Sequence, residues 1–243
     1  MTQSASYNLN SFSGPDVLAS ALASSTAATL RRGIARNGSA RLVVSGGRTP
    51  IGFFHALSHL EINWAEVTVM LADERWVPQT DPRSNSALVC EHLLQNNAEK
   101  ARFISYYLDD KPIQQAAQHI AWELAKRPVP LDVVILGLGT DGHTASLFPD
   151  APEISAALAS DAPPAMAMHP PSQPEARLTL TATPLSQARF LALHIEGAQK
   201  HLTLEKAAKG GVEAEMPVRA ILKYFCFYSY FETKNYIKML SIL

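Results

Sequence analysis

An aspartate and a histidine stand two residues apart in a glycine-rich turn, and these side chains are suited to acid–base chemistry. Asp141 and His143 follow the apolar residues 134–136 in the stretch VILGLGTDGHTASLFP. Histidine is the general base that works best near neutral pH, and a nearby carboxylate can fix its tautomer. Gly139 and Gly142 would let a substrate approach the backbone and its N–H donors. Such a histidine can also be purely structural, so the residues alone leave both interpretations open.

A second candidate site is the stretch SGGRTP at residues 45–50, which follows a short apolar run. Its two glycines allow close backbone approach, and a helix is expected to start at Pro50. Free N–H groups at such a loop and helix start can bind an anion, most naturally a phosphate. Ser45 and Thr49 add hydroxyl donors. The stretch is neither a Walker A loop nor a dinucleotide fingerprint, and an ordinary strand-to-helix turn is the alternative.

A third polar cluster is the stretch ADERWVP at residues 72–78, with Ser84 and Asn85 beyond it. Arg75 could contact an anionic or carbonyl group while a neighbouring acid orients the guanidinium. The alternative is a simple surface ion pair. In open α/β sheets, ligands collect outside the carboxyl ends of the strands. Because all three clusters follow predicted strands, we expect them to converge on one cleft.

These clusters have to be positioned by strands that alternate with helices. Apolar runs predict strands at residues 41–45, 67–72, 132–136, 177–183 and 190–195. Apolar residues at helical spacing predict helices at about residues 13–37, 50–60, 84–95, 113–125 and 198–208. Alternation of this kind implies parallel β-α-β units. We therefore predict an α/β fold, a three-layer sandwich in which a mostly parallel, Rossmann-like sheet is flanked by helices.

The composition limits the classes of protein that the chain can represent. Its 243 residues are 47% apolar and carry a net charge of −1; this length suits one large α/β domain or two small ones, and the apolar content allows a sizeable core. The balanced charge argues against nucleic acid or an anionic membrane surface as the main partner. Cys90 and Cys226 show neither metal spacing nor a disulfide framework. Since we find no signal-peptide pattern and no membrane-spanning run, we expect a cytoplasmic protein without a metal site.

In this order, SGGRTP, ADERWVP with its following Ser-Asn, and LGLGTDGHTASLFP resemble the motifs of 6-phosphogluconolactonases. EARLTL at residues 175–180 and IEGAQK at residues 195–200 are similar to two further elements of that family, and the resemblance covers about residues 10–222. It implies hydrolysis of 6-phospho-D-glucono-1,5-lactone to 6-phosphogluconate, the second step of the oxidative pentose phosphate pathway. No cofactor is implied. The implied partner is this small sugar-phosphate lactone, for a chain that is a monomer or a weak homo-oligomer.

The resemblance also implies roles for individual residues. His143 corresponds to the base that activates water, and Asp141 to the group that organises it. The protonated His143 is our candidate for the acid that protonates the departing ring oxygen. The positions that would contact or support the substrate and its phosphate are Ser45, Gly46, Gly47, Thr49, Asp73, Arg75, Asn85, Gly139, Gly142, Arg177 and Lys200. No covalent nucleophile is expected, since the chain has no G-x-S-x-G elbow.

Two rival functions remain for comparison. Glucosamine-6-phosphate deaminases/isomerases share the sandwich and a similar turn, but there the turn ends in an Asn-Glu-Pro type sequence that supplies another acid. Here residues 144–149 read TASLFP, without an acid before the proline, which favours the lactonase. A non-catalytic sugar-phosphate sensor of the kind found in transcription regulators would need a DNA-binding module. Only about 40 residues precede the first loop, and they read as one helix and a strand.

The last part of the chain departs from the family pattern. We predict a single lactonase-like domain over residues 1–222 and an atypical aromatic-rich tail over residues 223–243, which holds seven Phe and Tyr residues. Family members usually end with a shorter segment that contains a tryptophan. The abrupt change favours a reading-frame change or a fused terminus; the alternative is a genuine apolar tail that packs on the body or on a partner. The tail could remove a final strand and expose an adhesive surface.

Overall fold

The computed structural model describes residues 8–223 and 237–242, and side chains within residues 10–223. The strands are β1 (Asn8–Phe12), β2 (Ala40–Val44), β3 (Val67–Leu71), β4 (Asp73–Arg75), β5 (Arg102–Phe103), β6 (Val133–Leu136), β7 (Ala165–Met168), β8 (Arg177–Leu180), β9 (Phe190–Glu196) and β10 (Ile237–Ile242). The helices are α1 (Pro15–Asn37), α2 (Ile51–Ser58), α3 (Asn85–His92), α4 (Ile113–Ala125), α5 (Ile154–Leu158), α6 (Ala182–Ser186), α7 (Ala198–Ala208) and α8 (Val218–Leu222). Short 3-10 turns complete the regular structure.

A seven-stranded sheet in the order β1-β10-β9-β6-β2-β3-β5 forms the centre of the fold. The five strands from β9 to β5 run parallel, and β10 is antiparallel to both of its neighbours. Every residue of β2 and β6 is buried, which is expected where helices cover a parallel sheet. The predicted α/β sandwich with a mostly parallel sheet is therefore confirmed.

A second, three-stranded antiparallel sheet in the order β4-β8-β7 was not predicted from the sequence. The strand expected over residues 177–183 is too long, because β8 ends at Leu180 and α6 begins at Ala182. Pro184 explains the difference: it has no N–H for a strand ladder, but its fixed φ fits the first turn of a helix. The small sheet sets Asp73 opposite Thr179 and Arg75 opposite Arg177.

The two sheets are joined by the backbone of one buried residue, Ala72, which lies between β3 and β4. Its N–H donates to the carbonyl of Val44 at the end of β2, at 2.8 Å. Its carbonyl accepts from the N–H of Leu180 in β8, also at 2.8 Å. The end of the large sheet and the end of the small sheet are therefore fixed to each other.

The helices follow the predicted positions, with small shifts at their ends. α4 and α7 have the predicted bounds, whereas α1, expected from about residue 13, begins at Pro15 with Gly14 at its N-cap. Proline is well suited to the first helical position, so the helix needs no side-chain cap there. Among the described helices, none combines the length and the apolar character needed to cross a membrane.

The end of the chain contributes a strand to the large sheet. β10 lies between β9 and β1 and pairs with both over residues 237–242. Residues 224–236 and 243 lie outside the described part of the chain. The division into one domain over residues 1–222 and an atypical tail over residues 223–243 therefore stays a prediction.

Tyr106 secures the strand that leads into the second sheet, and this role can be tested by its substitution with phenylalanine. The side chain is fully buried, and its hydroxyl donates to the carbonyl of Leu71, the last residue of β3. Tyr106→Phe leaves that carbonyl without this donor. We expect the free energy of unfolding, measured by urea denaturation, to fall by about 1–2 kcal/mol.

The neighbouring Tyr107 provides the matched control. It is partly exposed and packs on Trp76, and its hydroxyl makes no hydrogen bond with any described residue. Tyr107→Phe should change the free energy of unfolding by less than about 0.5 kcal/mol. Equal losses in the two variants would contradict the role of the Tyr106 hydrogen bond.

Candidate active site

The turn after β6 is held by its own hydrogen bonds. The N–H of Gly139 donates to the carbonyl of His143 at 2.8 Å, and the N–H of Gly142 donates to the carbonyl of Gly139 at 3.1 Å. The N–H of His143 donates to Oδ1 of Asp141 at 3.1 Å. A β-carbon at position 139 would lie 2.2 Å from the His143 ring, so only glycine leaves room for the histidine. The turn is therefore a defined support for two functional side chains.

His143 and Asp141 form a close pair at the end of this turn. Nδ1 of His143 lies 2.6 Å from Oδ1 of Asp141, and both side chains are partly exposed. Burial would raise the pKa of Asp141, but the hydrogen bonds from the His143 ring and backbone outweigh it and lower that pKa. Asp141 is therefore ionised at neutral pH. An ionised acceptor at Nδ1 favours the tautomer with the proton there, which leaves Nε2 as the basic nitrogen.

Three basic side chains, Arg75, Arg177 and Lys200, face the same cavity as His143. Arg75 and Arg177 are directly opposite each other on β4 and β8, so their side chains leave the small sheet on one face. Burial lowers the pKa of Arg177, an effect that Asp73 opposes, and an arginine remains charged at neutral pH in either case. Lys200 comes from the first turn of α7. The cavity is therefore strongly attractive to an anion.

Three buried polar atoms at this cavity have no hydrogen-bond partner among the described residues: Oγ of Ser45, Nε of Arg75 and Nε of Arg177. The rest of the Arg177 guanidinium is held in place, since it donates to Oε1 of Gln173 at 2.6 Å and lies over the ring of Phe148. Buried donors are nearly always satisfied in native proteins, so an unpaired group suggests a ligand position. All three unpaired atoms belong to residues that line the same cavity.

The loop after β2 brings its backbone to the cavity. A β-carbon at Gly46 would lie 1.8 Å from Oδ1 of Asn85, so the glycine is required for this close approach. Gly47 has a φ of 90°, which favours glycine as well. The N–H groups of both glycines make no hydrogen bond with any described residue. The loop can therefore present backbone donors to a bound anion.

Asp73 contributes a carboxylate to the cavity, and hydrogen bonds fix both its side chain and its backbone carbonyl. Its Oδ2 accepts a hydrogen bond of 2.6 Å from the hydroxyl of Ser146, in the turn that carries His143. Its backbone carbonyl accepts from Nδ2 of Asn85 at 2.8 Å. Through Asp73, these bonds connect the first residue of α3 to the histidine turn. A fixed carboxylate among cations is suited to accept hydrogen bonds from sugar hydroxyl groups.

The structure brings most of the predicted site residues to one cavity of about 270 Å³. The predicted residues that line it are Ser45, Gly46, Gly47, Asp73, Arg75, Asn85, His143, Arg177 and Lys200. Asp141 is reached only through His143, and Thr49 is not among the lining residues. Gly139 and Gly142 shape the turn, and their N–H groups are used within it. Their predicted contacts with substrate, like the other predicted roles, stay predictions.

Several residues of the site were not singled out from the sequence. Gln173, Thr144, Ala145 and Phe148 also line the cavity. Phe148 packs on the His143 ring with centroids 4.2 Å apart, and its position five residues after the histidine was the available signal. Gln173 lies in the loop between β7 and β8, and no sequence pattern indicated that it would reach the cavity. Within the described part of the chain, no three His, Cys, Asp or Glu side chains are grouped to hold a metal ion.

Comparison with known proteins adds independent evidence. The family described as "Glucosamine-6-phosphate isomerases/6-phosphogluconolactonase" matches residues 13–225. A 6-phosphogluconolactonase of Rhizobium meliloti is 45% identical over 219 residues, which cover 90% of this chain and 94% of the relative. The enzyme of the same name from Mesorhizobium japonicum is 48% identical over 220 residues, with coverage of 90% and 91%.

A solved structure agrees with these relatives. The crystal structure of a 6-phosphogluconolactonase from Shewanella baltica OS155 superposes with a TM-score of 0.84 at 40% sequence identity. The match covers 88% of this chain and 91% of that one. By family match, sequence identity and fold, the chain belongs to the glucosamine-6-phosphate isomerase/6-phosphogluconolactonase family.

Proposed function

We propose that the chain is a hydrolase that opens 6-phospho-D-glucono-1,5-lactone to 6-phospho-D-gluconate, the second step of the oxidative pentose phosphate pathway. The observation that carries this proposal is the His143–Asp141 pair, 2.6 Å apart, at the edge of a cavity with three cationic side chains. The pair supplies a base for water, and the cations suit a phosphorylated substrate. The relatives that match nearly the whole chain carry the name of this activity.

His143 is the base in the proposed mechanism. Asp141 accepts a hydrogen bond from the Nδ1–H of His143, so the free Nε2 takes a proton from a water molecule in the cavity as that water attacks the lactone carbonyl carbon. A lactone is a reactive ester, and positioning together with one base is sufficient for its hydrolysis. The imidazolium that forms is stabilised by the ionised Asp141. Water is the only co-reactant that this step needs.

The second half of the reaction returns the proton. The tetrahedral intermediate collapses and the bond between the carbonyl carbon and the ring oxygen breaks, which gives a carboxylic acid and a hydroxyl group. The protonated His143 donates its Nε2 proton to the departing ring oxygen, so the base is regenerated.

The substrate's phosphate is assigned to the basic side of the cavity. The groups that support this assignment are the side chains of Ser45, Arg75, Arg177 and Lys200, which line the cavity, and the N–H groups of the Gly46-Gly47 loop. Guanidinium groups and loop N–H groups are common ligands of phosphate oxygens. Asp73 then faces the sugar hydroxyl groups. In this arrangement the charged end of the substrate fixes the position of the lactone carbonyl relative to His143.

We also propose a monomer or a weak homo-oligomer, which sedimentation measured over a range of concentrations can test. A cytoplasmic location is consistent with Cys90 being a free thiol.

The first experiment tests the activity itself. The purified chain is expected to hydrolyse freshly prepared 6-phosphogluconolactone faster than its spontaneous hydrolysis, as followed by acid release at constant pH. Release of ammonia from glucosamine 6-phosphate would instead support the deaminase alternative. Binding of the lactone without turnover would support a sugar-phosphate sensor. Either of these results, without lactone hydrolysis, contradicts the proposed function.

His143→Ala tests the assignment of the base. We expect kcat to fall by about 100-fold or more, because the base is lost, while the affinity for 6-phosphogluconate changes little. The matched control is His169→Ala: Nδ1 of His169 lies 2.7 Å from Glu153, but the residue is not among those that line the cavity. The control should retain the wild-type kcat. A near-normal kcat in His143→Ala would exclude His143 as the base.

Lys200→Ala tests the basic side of the cavity. Removal of one cation from the proposed phosphate site should raise KM by about tenfold with a smaller effect on kcat, because the phosphate is bound in both ground and transition states. Lys206→Ala removes the same charge from an exposed position on the same helix, α7, and should leave KM unchanged. If KM is unchanged in both variants, the phosphate is not bound by Lys200.

A further inference from the structure

Glu74 is a fully buried carboxylate that does not line the cavity. It accepts four hydrogen bonds: from the N–H groups of Arg75, Asn85 and Ser86, each at 2.7 Å, and from the hydroxyl of Ser84 at 3.1 Å. Both carboxylate oxygens are used, two donors to each. Burial raises the pKa of Glu74, and the hydrogen bonds from the backbone of Asn85 and Ser86 oppose that rise.

The donors that Glu74 binds belong to the start of α3. The first N–H groups of a helix have no partner within it, and a carboxylate placed there also interacts favourably with the helix dipole. Ser84 is the N-cap of α3, where its hydroxyl oxygen accepts from the N–H of Ala87 and its hydroxyl donates to Glu74. The carboxylate therefore fixes the position of α3 relative to β4.

The alternation of side chains along β4 explains why a buried acid occurs at this place. Successive side chains of a strand point to opposite faces, so Asp73 and Arg75 share the face at the cavity. Glu74, between them, points to the other side and meets the first residues of α3. Asp73 and Arg75 of β4 therefore face the cavity, while Glu74 binds the strand to the start of α3 on its opposite face.

Two groups that line the cavity depend on this attachment. Asn85 is the first residue of α3; its Nδ2 donates to the carbonyl of Asp73, and its Oδ1 occupies the space left by Gly46. Arg75 binds Glu74 through its backbone N–H, while its guanidinium donates to the carbonyl of Arg83. A shift of α3 or of β4 would move both groups relative to the loop after β2.

We propose that Glu74 is a positioning residue that sets the affinity of the cavity for its sugar-phosphate ligand through Asn85 and Arg75. The inference rests on the proposed function for the identity of that ligand. His143 and Asp141 stand on a separate turn after β6 and do not contact Glu74. Loss of the Glu74 carboxylate therefore weakens binding and leaves the chemical step largely intact.

The test is Glu74→Gln, which keeps the shape of the side chain but replaces one acceptor oxygen by an NH₂ donor. At least one of the present donors then faces another donor. We expect KM for the lactone to rise by about tenfold and kcat to change by less than about threefold. The affinity for 6-phosphogluconate, measured by calorimetry, should fall by a similar factor, and the amides of Asn85 and Ser86 should exchange faster with deuterium.

Asp132→Asn is the control that separates positioning from stability. Asp132 is also a fully buried carboxylate and accepts a hydrogen bond of 2.9 Å from the N–H of Arg41, but it lies before β6, at the opposite end from the histidine turn. This variant should lose stability and keep the wild-type KM. If Glu74→Gln does not fold, Ser84→Ala removes only one of the four donors and should raise KM by about threefold.

The outcomes distinguish the two proposals. If the wild-type chain does not hydrolyse the lactone, the proposed function fails, and the calorimetric affinity for 6-phosphogluconate still decides the role of Glu74. An unchanged KM and an unchanged affinity in folded Glu74→Gln, or in Ser84→Ala where Glu74→Gln does not fold, would overturn the inference. So would an equal loss of affinity in Asp132→Asn, because the effect would then follow stability alone.

Discussion

The hydrogen bonds of Ala72 are the constraint on which the rest of the site depends. Its N–H is bound to the end of β2 and its carbonyl to β8, so one peptide link joins the parallel sheet to the small antiparallel sheet. The loop after β2 and the residues of β4 and β8 are therefore held at fixed distances from each other. Since Ala72 is fully buried, water cannot compete for these hydrogen bonds. The hydrogen bonds of Ala72 therefore hold the polar clusters after β2 and β3 at the same cavity.

The residues that follow the histidine connect the reactive side of the cavity to its basic side. The hydroxyl of Ser146 donates to Asp73, and its backbone N–H donates to Oγ1 of Thr179 at 3.2 Å. Phe148 lies between the His143 ring and the guanidinium of Arg177. These contacts explain why apolar and small polar residues, rather than an acid, follow the histidine: they hold the turn against the small sheet.

The fold and the three loop clusters could be predicted from the sequence because they depend on local patterns, whereas Arg177 and Lys200 were expected only from the resemblance to a family. Buried parallel strands give continuous apolar runs, and Gly46 and Gly139 stand where Asn85 and His143 leave no space for a β-carbon. The small sheet could not be predicted in this way. β4 has only three residues, all of them charged, and its partner β8 lies about a hundred residues further along the chain. The attachment of Glu74 to α3 depends on that pairing, so it gave no local signal either.

The direct opposition of Arg75 and Arg177 has a consequence for how the family can vary. Like charges placed opposite each other on neighbouring strands repel, and this small sheet keeps such a pair on one face. At Arg177 this repulsion is offset by the carboxylates of Asp73 and Glu175, the latter 3.3 Å from the guanidinium. Loss of either carboxylate would leave the two guanidinium groups to repel each other, so the acids and the arginines of this small sheet constrain each other's replacement.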